Sequence, residues 1–520
     1  MWRHPEIRTL PDIPRYWAQR DPQKVALLQG ELTLTYGELH ELSSQAGQAL
    51  NGALDPATPV GYLGRNCLEL WVLWFGAGKS GRPFVPLNWR LAPRELAALL
   101  EDSGVGLVVV EVEFADQVQL ALDLMEHPVS MLPLAPEATG GTGLRDWQAG
   151  YPTEDPAAEV FGHDAALIAY TSGTTGRPKG ALTTHESFSF SFLSDELEPT
   201  ISWDRDYVAL MVMPNFHLAG TWVSLPALYQ GASLAVVPAF EPAAVLDAVD
   251  RYQPTFMCLV PTAIQFLLDH ERARRTDFSR LKTVVYAGSS INASTIRKAL
   301  DILDCDLRQF LGTTETYIIS ILRPEDHDLD RPELLASCGK PIPLVEVQIT
   351  DPDGNEVPDG QVGELRVHTP MLMAGYLNKP EETANAVENH WYRTGDVGYR
   401  NPEGYLFLVD RAKDMVVTGG ENVYSIEVER AVASFPGVSQ VAVVGTPDNR
   451  WGEVVTAYIV VDPGAQLDAG ALQEHCRSLI AAYKVPRIVN VVDDLPLTPS
   501  GKIRKADIRV QAAEAATTGR

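Results

Sequence analysis

Short runs of Val, Ile and Leu recur along the chain, separated by stretches in which apolar residues return every three or four positions. "VGLVVVEV" (105–112), "SLAVVP" (233–238), "FMCLVP" (256–261) and "KTVVYAG" (282–288) are apolar on both faces over their central residues. Runs of this kind predict strands buried on both sides, as in a parallel sheet covered by helices. "PAAVLDAVDRYQP" (242–254) predicts one of those helices, since Val245, Ala248 and Val249 share a face. "LIAY" (167–170) predicts a strand that breaks into a glycine-rich loop, and "PLAPEATGGTG" (133–143) predicts a surface connection.

After the charged "DRAKD" (410–414) the rhythm changes. Helical patterns at 424–435 and 471–483 alternate with strand patterns at 440–445, 454–461 and 487–492. That is a small α+β unit of its own. The predicted fold is therefore α/β. A large multi-layer N-terminal domain with doubly wound sheets covers 1–410, and a small α+β C-terminal domain covers 411–520.

Composition narrows the function. The 520 residues exceed what one core organises, and 45% hydrophobic with 21% charged residues is the balance of a globular protein. The net charge of -26 argues against nucleic acid or an anionic membrane as partner. An anionic ligand would have to be held by a local site. Cys67, Cys258, Cys305, Cys338 and Cys476 are scattered, with no C-x-x-C pair. They predict free thiols in a reducing compartment rather than zinc ligands or disulfides. The first residues lack a signal-peptide core, and apolar runs such as "WVLWFGAG" (71–78) are far too short to span a membrane. A cytoplasmic location is expected.

"YTSGTTGRPKG" (170–180) is the densest candidate for chemistry. A Walker loop needs Ser or Thr after its lysine and free amides before it. Here Gly180 follows Lys179, and Pro178 precedes it. The Walker assignment fails, yet glycine-rich amides, hydroxyls and a lysine can still grip phosphate.

The same stretch resembles the signature loop of the adenylate-forming (ANL) superfamily: acyl-CoA synthetases, adenylation domains of peptide synthetases, and luciferases. Further stretches similar to that family's motifs follow in order: "MPNFHLAG" (213–220), "YAGSS" (286–290), "QFLGTTET" (309–316), "YRTGD" (392–396), "DRAKDMVVTGGENVYSIEVE" (410–429) and "PLTPSGKIRK" (496–505). The acyl-CoA synthetase (fatty-acid–CoA ligase) branch is the nearest in pattern.

The resemblance implies a two-step reaction. A carboxylate attacks the α-phosphate of ATP, giving acyl-AMP and pyrophosphate; a thiol then displaces AMP. It implies that Thr171, Ser172, Gly173, Thr174, Thr175, Gly176 and Lys179 hold phosphates, with Thr175 and Glu315 on Mg2+. Gly288, Ser289, Ser290, Gln309, Phe310, Leu311, Gly312, Thr313 and Thr314 would surround the nucleotide, with Asp396 and Arg411 on the ribose. Lys502 would be the catalytic lysine, and His217 would stand beside the substrate carboxylate. Lys413 would be the hinge on which the small domain rotates, bringing Thr418, Gly419 and Gly420 to coenzyme A. Each has a plainer reading: Glu315 as a helix-start carboxylate, Asp396 as a turn residue, Lys502 as a surface lysine.

Three positions depart from the pattern. Leu311 stands where an aromatic usually stacks on adenine, with Phe310 beside it. Ser289 and Ser290 replace frequent Ala and Pro. Ser425 replaces a frequent Pro and could cap the helix beginning at Ile426.

His217, after Phe216, replaces the acidic residue that pairs with an amine in the amino-acid-activating branch. An acid without an amine is expected, fatty or aryl-alkyl, in a pocket walled by His217, Leu218, Ala219, Gly220, Trp222, Val260, Ala287, Gly288, Thr313 and Ile318. Coenzyme A is the expected acceptor, and a second copy of the chain is an open option as partner. Two alternatives stand beside this reading: transfer of the acyl group to a carrier protein, and a non-catalytic nucleotide or acyl-CoA sensor.

Overall fold

The computed structural model describes residues 3–135, 142–171, 178–288, 291, 293–411, 414–418, 421–448, 451–497 and 503–518. The chain forms two compact units: residues 1–346 with 367–392, and residues 347–366 with 393–520.

The larger unit is built on two sheets, one of nine strands and one of six. The expected apolar runs supply their centres. Leu107–Val110, Ser233–Val236, Phe256–Leu259 and Thr283–Ala287 are buried at every residue. A strand with no polar face can be placed only between two helical layers, and here it is. Helix Leu68–Lys79, containing "WVLWFGAG", is buried all round, as an apolar helix must be when it sits inside a large domain. Helix Pro242–Tyr252 buries Val245, Ala248 and Val249, as the spacing predicts.

In the nine-stranded sheet, Asp306–Thr313, Thr283–Ala287, Phe256–Leu259, Val208–Met211 and Ser233–Val236 are successive parallel neighbours. Their carboxyl ends therefore all face one edge. The six-stranded sheet ends in an antiparallel hairpin, Ala165–Thr171 with Lys179–Thr184. Thr184 caps the helix His185–Leu197 that follows, its hydroxyl accepting from the Ser187 amide at 3.1 Å.

The smaller unit is α+β. Val438–Asp448 and Gly452–Val461 form a long antiparallel pair, and Ile488–Val491 joins the latter in parallel. Helices Ser425–Ala433 and Ala469–Leu479 cover a core that includes Val428, Val432, Val443, Ile459, Leu472 and Cys476. Ser425 does not cap its helix: it lies inside the first turn, after Tyr424 at the N-cap. Its buried hydroxyl instead accepts from Lys505 Nζ at 2.6 Å. Among the described residues no helix is long and apolar enough to cross a membrane.

Candidate active site

Four of the segments expected around nucleotide and acid lie at one edge of the nine-stranded sheet. The loop Met213–Gly220 follows strand Val208–Met211, Val260 follows Phe256–Leu259, Gly288 follows Thr283–Ala287, and Gly312 and Thr313 close Asp306–Thr313. These four strands are parallel neighbours, so the four segments stand beyond the same sheet edge. Carboxyl ends of parallel strands are where open α/β sheets bind ligands. Leu218, Ala219 and Gly220 form a single 3₁₀ turn with His217 at its N-cap, and Ala287 and Ile318 lie on strands of this sheet.

The His217 loop is held from below by two asparagines. Asn66 donates to the carbonyls of Met213 and Val237, both at 3.1 Å, and its Oδ1 accepts from the Asn215 amide at 3.0 Å. Asn215 in turn donates to the Gly64 carbonyl at 2.9 Å. Both side chains are buried, so each of these bonds is costly to lose. Gly220 is required by crowding: a Cβ there would sit 2.5 Å from the Pro214 carbonyl oxygen.

Glu315 lies in the tight turn between Asp306–Thr313 and Tyr317–Leu322, not at a helix start. The hairpin is bulged between Leu311 and Gly312, and a Cβ on Gly312 would meet the Tyr317 carbonyl oxygen at 2.1 Å. Tyr317 adopts φ 65°, a left-handed conformation that costs a bulky residue energy and is retained mostly where function fixes the backbone. Thr313 and Thr316 hydroxyls bond each other across the turn at 2.9 Å. Leu311 and Gln309 are on the strand itself, and Thr314 is in the turn.

The phosphate-loop residues Ser172, Gly173, Thr174, Thr175 and Gly176 lie outside the described residues, as do Ser289 and Ser290. Their flanks are placed: Thr171 faces Lys179 across the base of the antiparallel hairpin. A strand–loop–strand hairpin is incompatible with a Walker loop, which must enter a helix.

Lys179 and Glu315, 136 positions apart in sequence, belong to one cluster. Lys179 Nζ is 2.5 Å from Glu382 Oε2 and 5.0 Å from the centre of the Tyr376 ring. The Tyr376 hydroxyl donates to Glu315 Oε1 at 2.7 Å. Tyr392 reaches the same carboxylate, and burial followed by that negative charge raises the pKa of both phenols, which stay protonated as donors. The segment carrying Tyr376 is stitched to both sides: Ala374 and Leu377 donate to the carbonyls of Leu182 and Gly180 at 2.8 Å, and Met373 donates to the Glu315 carbonyl at 2.7 Å. Nothing in the sequence reading pointed to Tyr376, Glu382 or the asparagine pair. The available signal was chemical: a largely buried lysine needs a nearby counter-charge.

In the smaller unit, Asp396 and Arg411 are direct partners across the antiparallel strands Trp391–Arg400 and Leu406–Arg411. The Asp396 amide donates to Thr394 Oγ1 at 3.0 Å, which fixes the turn before it. Thr418 is buried at the end of Val416–Thr418 and pairs with Glu421 and Gly452. Lys413, Gly419, Gly420 and Lys502 lie outside the described residues. Leu497 and Ile503 form an antiparallel bridge on either side of the segment that holds Lys502.

A family model described as AMP-binding enzyme matches residues 14–377, and one described as AMP-binding enzyme C-terminal domain matches 427–502. The chain is similar to the fatty acid–[acyl-carrier-protein] ligase ScoC of Streptomyces coeruleorubidus, at 35% identity with 97% of both chains covered. It is also similar to a feruloyl-CoA synthase of an Amycolatopsis species, at 36% identity over 95% of this chain and 96% of that one. Among solved structures it matches ATP-bound MatB of Rhodopseudomonas palustris, with TM-score 0.86, 28% identity and 97% and 99% of the two chains covered. A large mixed-sheet domain with a smaller α+β domain is the architecture of these enzymes. The chain belongs to the AMP-binding enzyme family, the adenylate-forming superfamily, and is a catalytic acid–thiol ligase that activates carboxylic acids.

Proposed function

We propose that the protein is an AMP-forming acyl-CoA synthetase acting on a fatty or aryl-alkyl acid without an amine. The observation that carries this reading is the convergence of the His217 loop, Val260, Gly288 and Gly312 beyond one sheet edge. The nearby Lys179–Tyr376–Glu315 cluster supports it.

In the first step an acid oxygen bonds to the α-phosphorus of ATP and the bond to the β-phosphate oxygen breaks. Lys179, with Thr171, Ser172, Gly173, Thr174, Thr175 and Gly176, holds the leaving pyrophosphate, which must first take Glu382's place on Lys179. Gly288, Ser289, Ser290, Gln309, Phe310, Leu311, Gly312, Thr313 and Thr314 surround the nucleotide; Asp396 and Arg411 take the ribose. Lys502 compensates charge that grows at the reacting oxygens, and His217 orients the carboxylate.

Thr175 and Glu315 are the residues that would hold Mg2+, which supplies charge neutralisation on the phosphates. One buried carboxylate beside hydroxyls suits an ion that takes most of its ligands from phosphate and water. Among the described residues there is no acidic or histidine cluster that would make a stand-alone metal site.

In the second step the sulfur of coenzyme A bonds to the acyl carbon and AMP leaves. The small domain, 411–520, turns about Lys413 against 1–410 and brings Thr418, Gly419 and Gly420 to the thiol. The net charge of -26 supports a small-molecule repertoire without nucleic acid. Five free cysteines support a cytoplasmic setting, and a homodimer remains part of the proposal.

The test is acid-dependent pyrophosphate release over a panel of acids, with and without coenzyme A, and mass spectrometry of the products. Acyl-CoA is the expected product. Pyrophosphate without any thioester would move the acceptor to a carrier protein, the reading that the similarity to ScoC favours. Lys502→Ala is expected to abolish pyrophosphate release while sparing thioester formation from premade acyl-AMP.

A further inference from the structure

Behind the acid pocket, the larger unit encloses a small cavity lined by Asp195, Ile201, Trp203, Trp222, Val223, Phe256, Val285, Arg308 and Phe310. Its walls continue those of the expected pocket. Trp222 follows the His217 loop, Val285 is two residues before Ala287 on the same strand, and Phe310 precedes Leu311. The Trp222 ring meets Phe310 and Tyr317 edge-on, at 6.0 and 6.2 Å between centres.

The lining is unusual in its polar groups. Trp203 Nε1, Trp222 Nε1 and Arg308 Nε are buried and meet no acceptor among the described residues. An unpaired buried N–H is costly, so three of them on residues that line one cavity mark a site suited to an oxygen. Asp195 is buried at the end of helix His185–Leu197, with no cation among the influences on its carboxyl. The free volume of the cavity is about 10 Å³, room for a single oxygen atom with its hydrogens.

We infer that this cavity takes the ring hydroxyl of an aryl-alkyl acid, with the hydroxyl oxygen accepting from a buried indole N–H and its hydrogen facing Asp195. This rests on the acid-activating reading above and names the class of acid. Burial, with Glu196 and Glu198 nearby, lifts Asp195 to about 8. At neutral pH it stands as an uncharged acid, a partner for a hydroxyl rather than for an ammonium group. The aromatic side chains of Trp222, Phe256 and Phe310 suit a ring, whereas an alkyl terminus would leave the N–H groups unpaired.

The test is kcat/KM for pyrophosphate release with acid pairs that differ in one ring hydroxyl: 3-phenylpropanoate against 3-(4-hydroxyphenyl)propanoate, and cinnamate against 4-hydroxycinnamate, with decanoate alongside. The hydroxylated member is expected to be favoured by at least about tenfold, because a site built for a hydroxyl rejects the analogue that lacks it. In Asp195→Leu that ratio should fall towards one, and in Asp195→Asn it should be partly restored. A wild-type ratio near one, or preference for decanoate, would overturn the inference without touching acid activation, leaving the cavity to an ordered water. A ratio unchanged in Asp195→Leu would also overturn it. Pyrophosphate from none of the acids would instead count against the acid-activating reading itself.

Discussion

Two lysines in the larger unit make opposite use of the same chemistry. Lys79, at the end of helix Leu68–Lys79, is wholly buried. Its Nζ meets His40 Nδ1 and the His40 carbonyl, each at 2.8 Å, Ser44 Oγ at 2.9 Å and Asp155 at 3.6 Å. Asp155 is already claimed by Arg15 through two bonds of 2.7 and 2.8 Å. Lys179 has one carboxylate, one aromatic face and some exposure to solvent. A lysine whose donors are all satisfied by fixed protein groups has nothing left for a ligand. A lysine held by one half-exposed carboxylate can exchange it for phosphate.

The same substitution at both positions should separate them. Lys179→Met is expected to lower the rate of pyrophosphate release by about 100-fold, the cost of losing one preorganised charge, with the unfolding midpoint unchanged. Lys79→Met should leave the rate per folded molecule near wild type and lower stability by about 1–3 kcal/mol in urea unfolding. If Lys79→Met cut the rate as deeply as Lys179→Met, the distinction between the lysines would fail.

Lys79 also carries a pH signature. Burial brings its pKa down from the ordinary 10.5 to about 7. Between those values the unfolded chain holds the proton more tightly than the folded one, so stability rises with pH across that window. On acidification the advantage is lost by about pH 7 and stays flat below it. Urea unfolding from pH 7 to 10 should show wild-type stability climbing relative to Lys79→Met. Parallel curves would mean that Lys79 is charged throughout.

These lysines also show what a sequence can disclose. The strands were readable because Leu107–Val110, Phe256–Leu259 and Val284–Ala287 are runs without a charged or strongly polar side chain, and every residue of them is buried. Lys179 was readable because its neighbours, Gly176, Pro178 and Gly180, are residues that only a special loop needs. Asp396 and Arg411 were assigned to one task, and their register follows from two adjacent strands. Lys79 drew no reading, since its partners His40 and Asp155 are remote in the chain. Tyr376, Glu382, Asn66 and Asn215 escaped for the same reason: each acts through a residue on another element. Asp195 was one acidic residue in "SDELE", and the residues that line the cavity with it, Phe256, Val285 and Arg308 among them, are remote in the chain. Ser425 was judged by its neighbours as a cap, but Lys505, 80 positions later, claims its hydroxyl.

Tyr376 is the next point at which to press the comparison, because it joins the exchangeable lysine to Glu315. Tyr376→Phe keeps the ring below Lys179 and removes the bond to Glu315 together with the hydroxyl contact to Tyr392. The expected result is a fall in kcat of about tenfold at saturating ATP, one charge-assisted hydrogen bond in a buried site, with little change in melting temperature. A fall confined to melting temperature would make the tyrosine a packing residue.

The smallest effect is expected at Glu382, and it bears most directly on the idea of an exchangeable partner. If Lys179 takes phosphate as proposed, ATP displaces this carboxylate and its charge opposes binding in the free enzyme. The pair is partly exposed, with Glu382 at 37%, and an ion pair in that setting is worth at most about 1 kcal/mol. Glu382→Gln should therefore lower the KM for ATP by no more than about fivefold at low salt and leave kcat alone. Because screening already weakens an exposed pair, the difference between variant and wild type should shrink as ionic strength rises. A KM that rises in Glu382→Gln would show that the carboxylate positions Lys179 for phosphate instead of competing with it, and Lys179 would then resemble Lys79 more than its loop suggests.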